Sequence, residues 1–310
     1  MSTSALSTPA VRAGRPQSRQ ARAGRVTGLG FVTPFLVFYV LFLILPLVLV
    51  IIFSLFNTSL VLPGLGRWVG LHNYGELFSD SYFWSALWHT VLFTIVSTPL
   101  LVVVALAFAL ATYRRRHGQW FFRLAFFMPY ILPSAVIALI WVWIFEPGYG
   151  LFDGALQAVG LGPVPWLSSP SVALYSIILV TLWWTIGFNY ILFMAGLQEI
   201  PGEMYEAAAM DGASQWTQIR RITLPMLGRT MTLVTVLQII ASLKIFDQVY
   251  LMTQGGPNFS TRVALEYVYD YGFTSGRVGY ASAASLVLFV IIAVIGFAWL
   301  ALVRRQEKGV

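Results

Sequence analysis

Six apolar stretches alternate with short polar ones along this chain. Residues 28–53 contain no charged side chain. As a helix at 1.5 Å per residue they would reach about 39 Å, more than the roughly 30 Å hydrocarbon core of a bilayer. This predicts a first transmembrane helix, with Pro46 as a tolerated kink near its outer end. A signal peptide would have a shorter apolar core and a small-residue cleavage site. Further spans are predicted over 86–112, 123–145, 171–196, 229–252 and 279–303. The third carries Pro129 and Pro133 and is expected to bend. The expected fold class is therefore all-α: a polytopic membrane protein with six transmembrane helices.

The longest polar interruption late in the chain, residues 201–227, does not read as a flexible loop. Pro201 precedes a run of strong helix formers from Glu203 to Met210. Asp211-Gly212 breaks that run, because glycine reaches the left-handed backbone region that ends helices. Ser214 can cap a second short helix up to Thr223, which Pro225 closes. Met204, Tyr205, Ala208 and Ala209 form one small apolar face, and Trp216, Ile219 and Ile222 form another. A helix-turn-helix with knobs on both arms suits docking into a groove on another protein.

Composition agrees with a membrane protein. Of 310 residues 58% are hydrophobic and 10% charged, whereas soluble domains carry about 25% charged residues. The chain has no cysteine, and its three histidines (His72, His89, His117) form no metal-binding cluster. No metal site, catalytic residue or nucleophile–base pair is visible. The net charge of +7 reads as topology, not as nucleic-acid binding. Fifteen of the nineteen Lys and Arg residues fall on one side of the six-span layout, with Arg67, Arg262 and Arg277 opposite and Lys244 within a span. The positive-inside rule then puts both termini and the 201–227 loop in the cytoplasm. Arg114, Arg115 and Arg116 mark a cytoplasmic turn. Residues 1–27 form a basic cytoplasmic tail of disordered composition, 28–305 the membrane domain, and 306–310 a second short tail. No internal repeat of 20–50 residues is seen.

Glu206-Ala207-Ala208, Asp211-Gly212-Ala213 and Ile222-Thr223-Leu224-Pro225, over about twenty positions, resemble the EAA signature of permease subunits of binding-protein-dependent ABC importers. Thr253-Gln254-Gly255-Gly256-Pro257 with Ser260-Thr261 resembles a segment of permeases for sugars and related solutes, as does Trp68 to Tyr74. The resemblance implies a coupling helix-turn-helix, a second and different permease chain, two cytoplasmic ATPase subunits that hold ATP and Mg, and an extracytoplasmic solute-binding protein. It also implies residence among the lipids of a bacterial or archaeal cytoplasmic membrane. The residues agree on one point independently: the only lysines, Lys244 and Lys308, sit in no phosphate-binding loop, so ATP would be hydrolysed on another chain. In the loop, Gly212 permits the turn, Glu206 and Asp211 can pair with basic partner groups or cap amides, Ala207, Ala208 and Ala209 are small enough for close approach, and Ala213 of the motif joins the docking set. Trp216, with Leu224 and Pro225, completes the expected ATPase-docking set. A surface bridge from Glu206 to Arg220 or Arg221 is the plainer alternative.

Polar groups inside spans are costly and are solute-path candidates. Lys244 and Asp247, three apart, would share a helix face in the fifth span. Asn189 and the Trp183/Trp184 pair lie near the middle of the fourth. Amides and aromatic platforms suit a polyol, although packing or lipid contact accounts for the tryptophans and an interhelical hydrogen bond for Asn189 equally well. The reading is a permease for a mono- or oligosaccharide or related polyol, working by alternating access. The alternative is a self-sufficient secondary transporter or channel with Lys244/Asp247 as its ion relay.

Overall fold

The computed structural model describes residues 32–62, 64–113 and 118–307. The basic tail, the Arg114 to Arg116 turn and residues 308–310 lie outside the described residues. Two compact units are present, one ending at Ile52 and the other starting at Phe53.

Helix α1, Val32–Ser54, is apolar on all sides. A π-helical turn, Val40–Ile44, stands just ahead of Pro46. Proline offers no N–H to the preceding turn, and such a turn absorbs the missing bond. In the second unit, a two-residue ladder pairs β1, Phe56–Asn57, antiparallel with β2, Arg67–Trp68. Helix α2, His72–Ser79, leads into α3, Ser81–Tyr113, which begins five residues before the expected span. Then come α4, Gln119–Ile131, and α5, Ser134–Ile144, bent by 96°. Leu132 is extended (ψ 141°) because it precedes Pro133. A short α6, Leu151–Ala158, precedes α7, Ala173–Gln198.

Helix α8, Gly202–Met210, and α9, Gln215–Met226, occupy the polar stretch. Helix α9 meets α10, Gly228–Leu243, at 65°. The fifth apolar stretch is not one helix. Helix α10 stops at Leu243, and a separate α11, Asp247–Met252, follows. Lys244 (φ −102°, ψ 18°) and Phe246 (φ −149°, ψ −60°) are non-helical. Helix α12, Ala264–Tyr269, continues into a π-helical turn, Asp270–Thr274, before α13, Val278–Glu307. Among the described residues, four helices are long and apolar enough to cross a membrane, or up to six if each bent pair counts as one crossing. The chain is thus an all-α, multi-pass membrane protein.

Buried apolar side chains hold the second unit together. One cluster joins Phe93 of α3, Ile137 and Trp141 of α5, Ile177 of α7 and Val249 of α11. Another joins Leu101 and Ala105 of α3 to Tyr190 and Phe193 of α7 and Val234 of α10. The halves of the broken segments therefore rest on the same two long helices.

Candidate functional site

The polar stretch folds into two short helices around a tight turn. Gly212 has φ +74°. The Gly212 N–H donates to Ala209 O at 3.0 Å and the Ala213 N–H to Ala208 O at 2.9 Å, which closes α8 in a Schellman motif. Ser214 caps α9, its Oγ accepting from the Thr217 N–H at 3.3 Å. The arms are tied by Tyr205 Oη and Thr223 Oγ1 at 2.9 Å. Tyr205 also packs on the buried cluster of Phe193, Leu197 and Leu227, which seats the turn on the ends of the long helices.

This stretch presents two large apolar side chains outward among charged ones. Met210 is 89% and Trp216 69% exposed. Glu206, Ala207, Asp211, Gly212 and Pro225 are exposed, and Ala208, Ala213 and Leu224 are half-buried. No ion pair joins Glu206 to Arg220 or Arg221 among the described residues. A hollow of about 680 Å³ opens beside the turn, lined by Asp211, Gly212, Ser214, Thr217 and Arg221.

The second feature is a cavity of about 260 Å³ where α10 breaks from α11. Lys244, Phe246 and Asp247 of the break line it, facing Tyr130, Trp184 and Phe188. Because the helix stops between them, Lys244 and Asp247 do not share a continuous helix face, contrary to the sequence expectation. Both are exposed, and no ion pair joins them. They face the cavity instead of each other.

The candidates on α7 separate. Trp184 lines the cavity, and its buried Nε1 has no hydrogen-bond partner. Trp183, about 100° around the helix, turns into a different groove and meets the Trp141 ring edge-on at 5.5 Å. Asn189 is buried and donates through Nδ2 to Gln238 Oε1 at 2.9 Å. Gln238 Nε2 donates to Ser242 Oγ at 3.0 Å, and Ser242 Oγ meets Ser97 Oγ at 3.2 Å. A polar chain therefore crosses α7, α10 and α3, with Gln238 and Ser242 reaching the cavity wall and Asn189 behind them. Sequence reading missed Gln238, although an amide in a predicted span was itself a signal. It also missed Tyr130, Thr181 and Thr185, which complete the wall and which ordinary helix packing makes unremarkable in a sequence. Among the described residues, no group of three or more His, Asp or Glu side chains could hold a metal ion.

Comparison with known proteins bears on both features. The sequence model of the family described as binding-protein-dependent transport system inner membrane component matches residues 102–310. The sulfoquinovosyl glycerol transport system permease protein SmoG of Agrobacterium fabrum is 31% identical over 91% of this chain and 92% of its own length. The trehalose/maltose transport system permease protein MalF of Thermococcus litoralis is 34% identical, over 88% of this chain and 91% of its own. A chain of the bacterial alginate ABC transporter, solved in complex with an alginate pentasaccharide-bound periplasmic protein, shares the fold. Its TM-score is 0.83 at 22% identity, covering 94% of this chain and 99% of that one. With two thirds of its length matched by the family and near full-length likeness to two permeases, the chain belongs to the binding-protein-dependent transport system inner membrane components, as a transport subunit and not an enzyme.

Proposed function

We propose that this chain is one of two membrane-spanning subunits of an ATP-driven importer for a saccharide or related polyol. The observation that carries the solute class is the cavity at the α10/α11 break, with aromatic rings, hydroxyls, amides and one charge of each sign on its wall. A polyol accepts from Lys244, donates to Asp247, and lays its C–H faces on Tyr130 and Phe188. Relatives whose names specify sulfoquinovosyl glycerol and trehalose/maltose support the same class. The bent pair 119–144 counts as one crossing and 228–252, broken at Lys244, as another, giving six spans over 28–305 with both termini cytoplasmic. The 201–227 turn is then the cytoplasmic coupling element. It docks on one of two ATPase subunits, which hold ATP and Mg. A second, different permease chain completes the membrane part. A solute-binding protein delivers from outside the cytoplasmic membrane of a bacterium or archaeon. Nothing observed favours a self-sufficient transporter with Lys244 and Asp247 as ion relay.

Vesicles holding the permeases, ATPases and binding protein should take up solute only with ATP and the ATPase present. Uptake that persists without either overturns the reading. Mass spectrometry of solute retained by the cognate binding protein names the cargo, and a cargo without a sugar or polyol moiety overturns the solute class.

Two further outcomes follow from the layout. A reporter inserted at Gly212 should score as cytoplasmic and one at Tyr149, 89% exposed, as external; the opposite pattern would invert the topology. Valine at Gly212 should leave membrane insertion intact, since a Cβ there meets open space. Holding a β-branched residue at φ +74° costs about 1–2 kcal/mol. Co-purification of the ATPase should drop about five- to thirtyfold, with uptake following it. Undiminished co-purification and uptake would remove the turn from the docking surface.

A further inference from the structure

Beyond α11 the chain makes a compact excursion, residues 253–277, that closes around one buried acid. Glu266 of α12 is 1% exposed, and its Oε2 is buried without a hydrogen-bond partner. The neighbouring cation is committed elsewhere. Arg262 pairs with Asp270 at 2.8 Å and lies over the rings of Phe259 and Tyr267 at 4.9 and 5.0 Å. No ion pair joins it to Glu266, and its own buried Nε has no partner. The turn packs directly on this pair of side chains. A Cβ added at Gly255 would lie 3.1 Å from Arg262 Cβ and 3.2 Å from Glu266 Oε2.

The excursion is wired to the cavity wall. Thr253 Oγ1 donates to Val249 O at 2.9 Å and meets Thr261 Oγ1 at 2.8 Å. Tyr269 stands 5.0 Å from Tyr250 and 5.4 Å from Phe246, ring to ring, on the segment that begins α11. Asp247 lies between those two residues. We propose that residues 253–277 form a pH-sensitive clasp on the wall of the solute cavity, with the Glu266 carboxyl as the group that binds and releases the proton.

Burial, and then the Asp270 charge, push the Glu266 pKa up to about 7, against the opposing pull of the Val263 N–H and Arg262. Other ionisable groups surround it. On α3, His89 Nδ1 lies 3.1 Å from the Arg262 carbonyl oxygen. Just ahead of α3, burial would raise Asp80, but hydrogen bonds from Tyr267, the Tyr82 N–H, Tyr280 and Tyr271 outweigh it and hold the carboxyl below its ordinary value. On α11, Tyr250 meets the Tyr269 ring at 5.0 Å. Just ahead of α13, Arg277 pairs with Glu76 at 2.6 Å and keeps its charge. Glu266 is thus the group in this cluster whose pKa is brought to about 7. The closed clasp holds the Glu266 proton more tightly than an opened one, where the ordinary value of 4.5 applies. Closure is therefore at full strength below about pH 4.5, weakens as pH rises, and reaches its floor above about pH 7. Between pH 6 and pH 8 the opening equilibrium should rise about tenfold.

The test is hydrogen exchange across 253–277, corrected for intrinsic rates, on the full chain in lipid nanodiscs with its co-purifying subunits. Protection should fall about tenfold from pH 6 to pH 8 in the wild type, become independent of pH in Glu266→Gln, and keep its dependence in His89→Gln. A flat wild-type profile, dependence that survives Glu266→Gln, or dependence lost in His89→Gln overturns the proposal. Should Glu266→Gln not assemble, Asp270→Asn serves instead. It removes the repelling charge and frees Arg262 to pair with Glu266, so the dependence should shrink to less than half, and an unchanged profile is equally fatal. The link to transport rests on the cavity being the solute path. Exchange reads the clasp directly, so failure of that path would show in uptake by cavity variants and leave the exchange profile untouched.

Discussion

Alanine at Gly187 should leave little stable protein in the membrane. Gly187 sits where α7 crosses α4, and a Cβ there would collide with Phe126 O and lie 2.6 Å from Phe126 C and 2.7 Å from Phe127 Cα. These are backbone atoms and cannot swing aside. The two helices would have to part, which would loosen the Phe126–Tyr190 contact at 5.1 Å and the Tyr130–Phe188 stack at 5.2 Å. Small residues allow membrane helices this close approach, and packing is what holds such helices together. Overpacking ordinarily costs about 1–3 kcal/mol, and a clash with main chain belongs at the upper end. Thermal unfolding in detergent and the yield of monodisperse protein both read this loss. Gly296→Ala is the matched control. No atom lies within 4 Å of its added Cβ, and alanine favours a helix by about 1 kcal/mol over glycine. Wild-type stability in Gly187→Ala would mean that α4 and α7 do not approach as described.

Removing either charge at the helix break should abolish most uptake and leave the fold alone. Lys244 and Asp247 are exposed to the cavity and unpaired, so neutralising one strands no buried partner. Lys244→Met or Asp247→Asn should shift stability by no more than about 0.5 kcal/mol, as at other unburied positions. Uptake should fall at least tenfold, which corresponds to about 1.4 kcal/mol of lost interaction with the solute. The double variant should be no better than the singles. A structural pair would behave differently, with destabilised singles and a rescued double. Normal uptake in both singles would remove the two residues from the path.

Much of this was legible in the sequence because bilayer crossing leaves coarse marks. Long uncharged runs located the long helices, and Pro133 marked the break between α4 and α5, since proline forces its predecessor out of the helix. Gly212 was legible because a helix-ending turn calls for a positive φ. The break at Lys244 was not. Ser242-Leu243-Lys244-Ile245-Phe246 contains neither proline nor glycine, and tertiary packing of Phe246 on Tyr250 and Tyr269 outweighs local preference there. The Asn189–Gln238 bond joins positions 49 residues apart, and no local pattern announces such a pairing. Adjacent tryptophans looked equivalent in the sequence. Helical rotation gives only one of them to the cavity.

The elbow between α4 and α5 has a consequence for the lipid around it. At 1.5 Å per residue the arms measure about 20 and 16 Å, and across a 96° bend their ends lie only about 24 Å apart. A straight helix of the same length would clear the roughly 30 Å apolar slab with room to tilt. This one falls short of it. With the pair crossing as proposed, the bilayer must thin or the elbow must open, and because Tyr130 on its first arm lines the cavity, that hinge would couple membrane thickness to the proposed solute path.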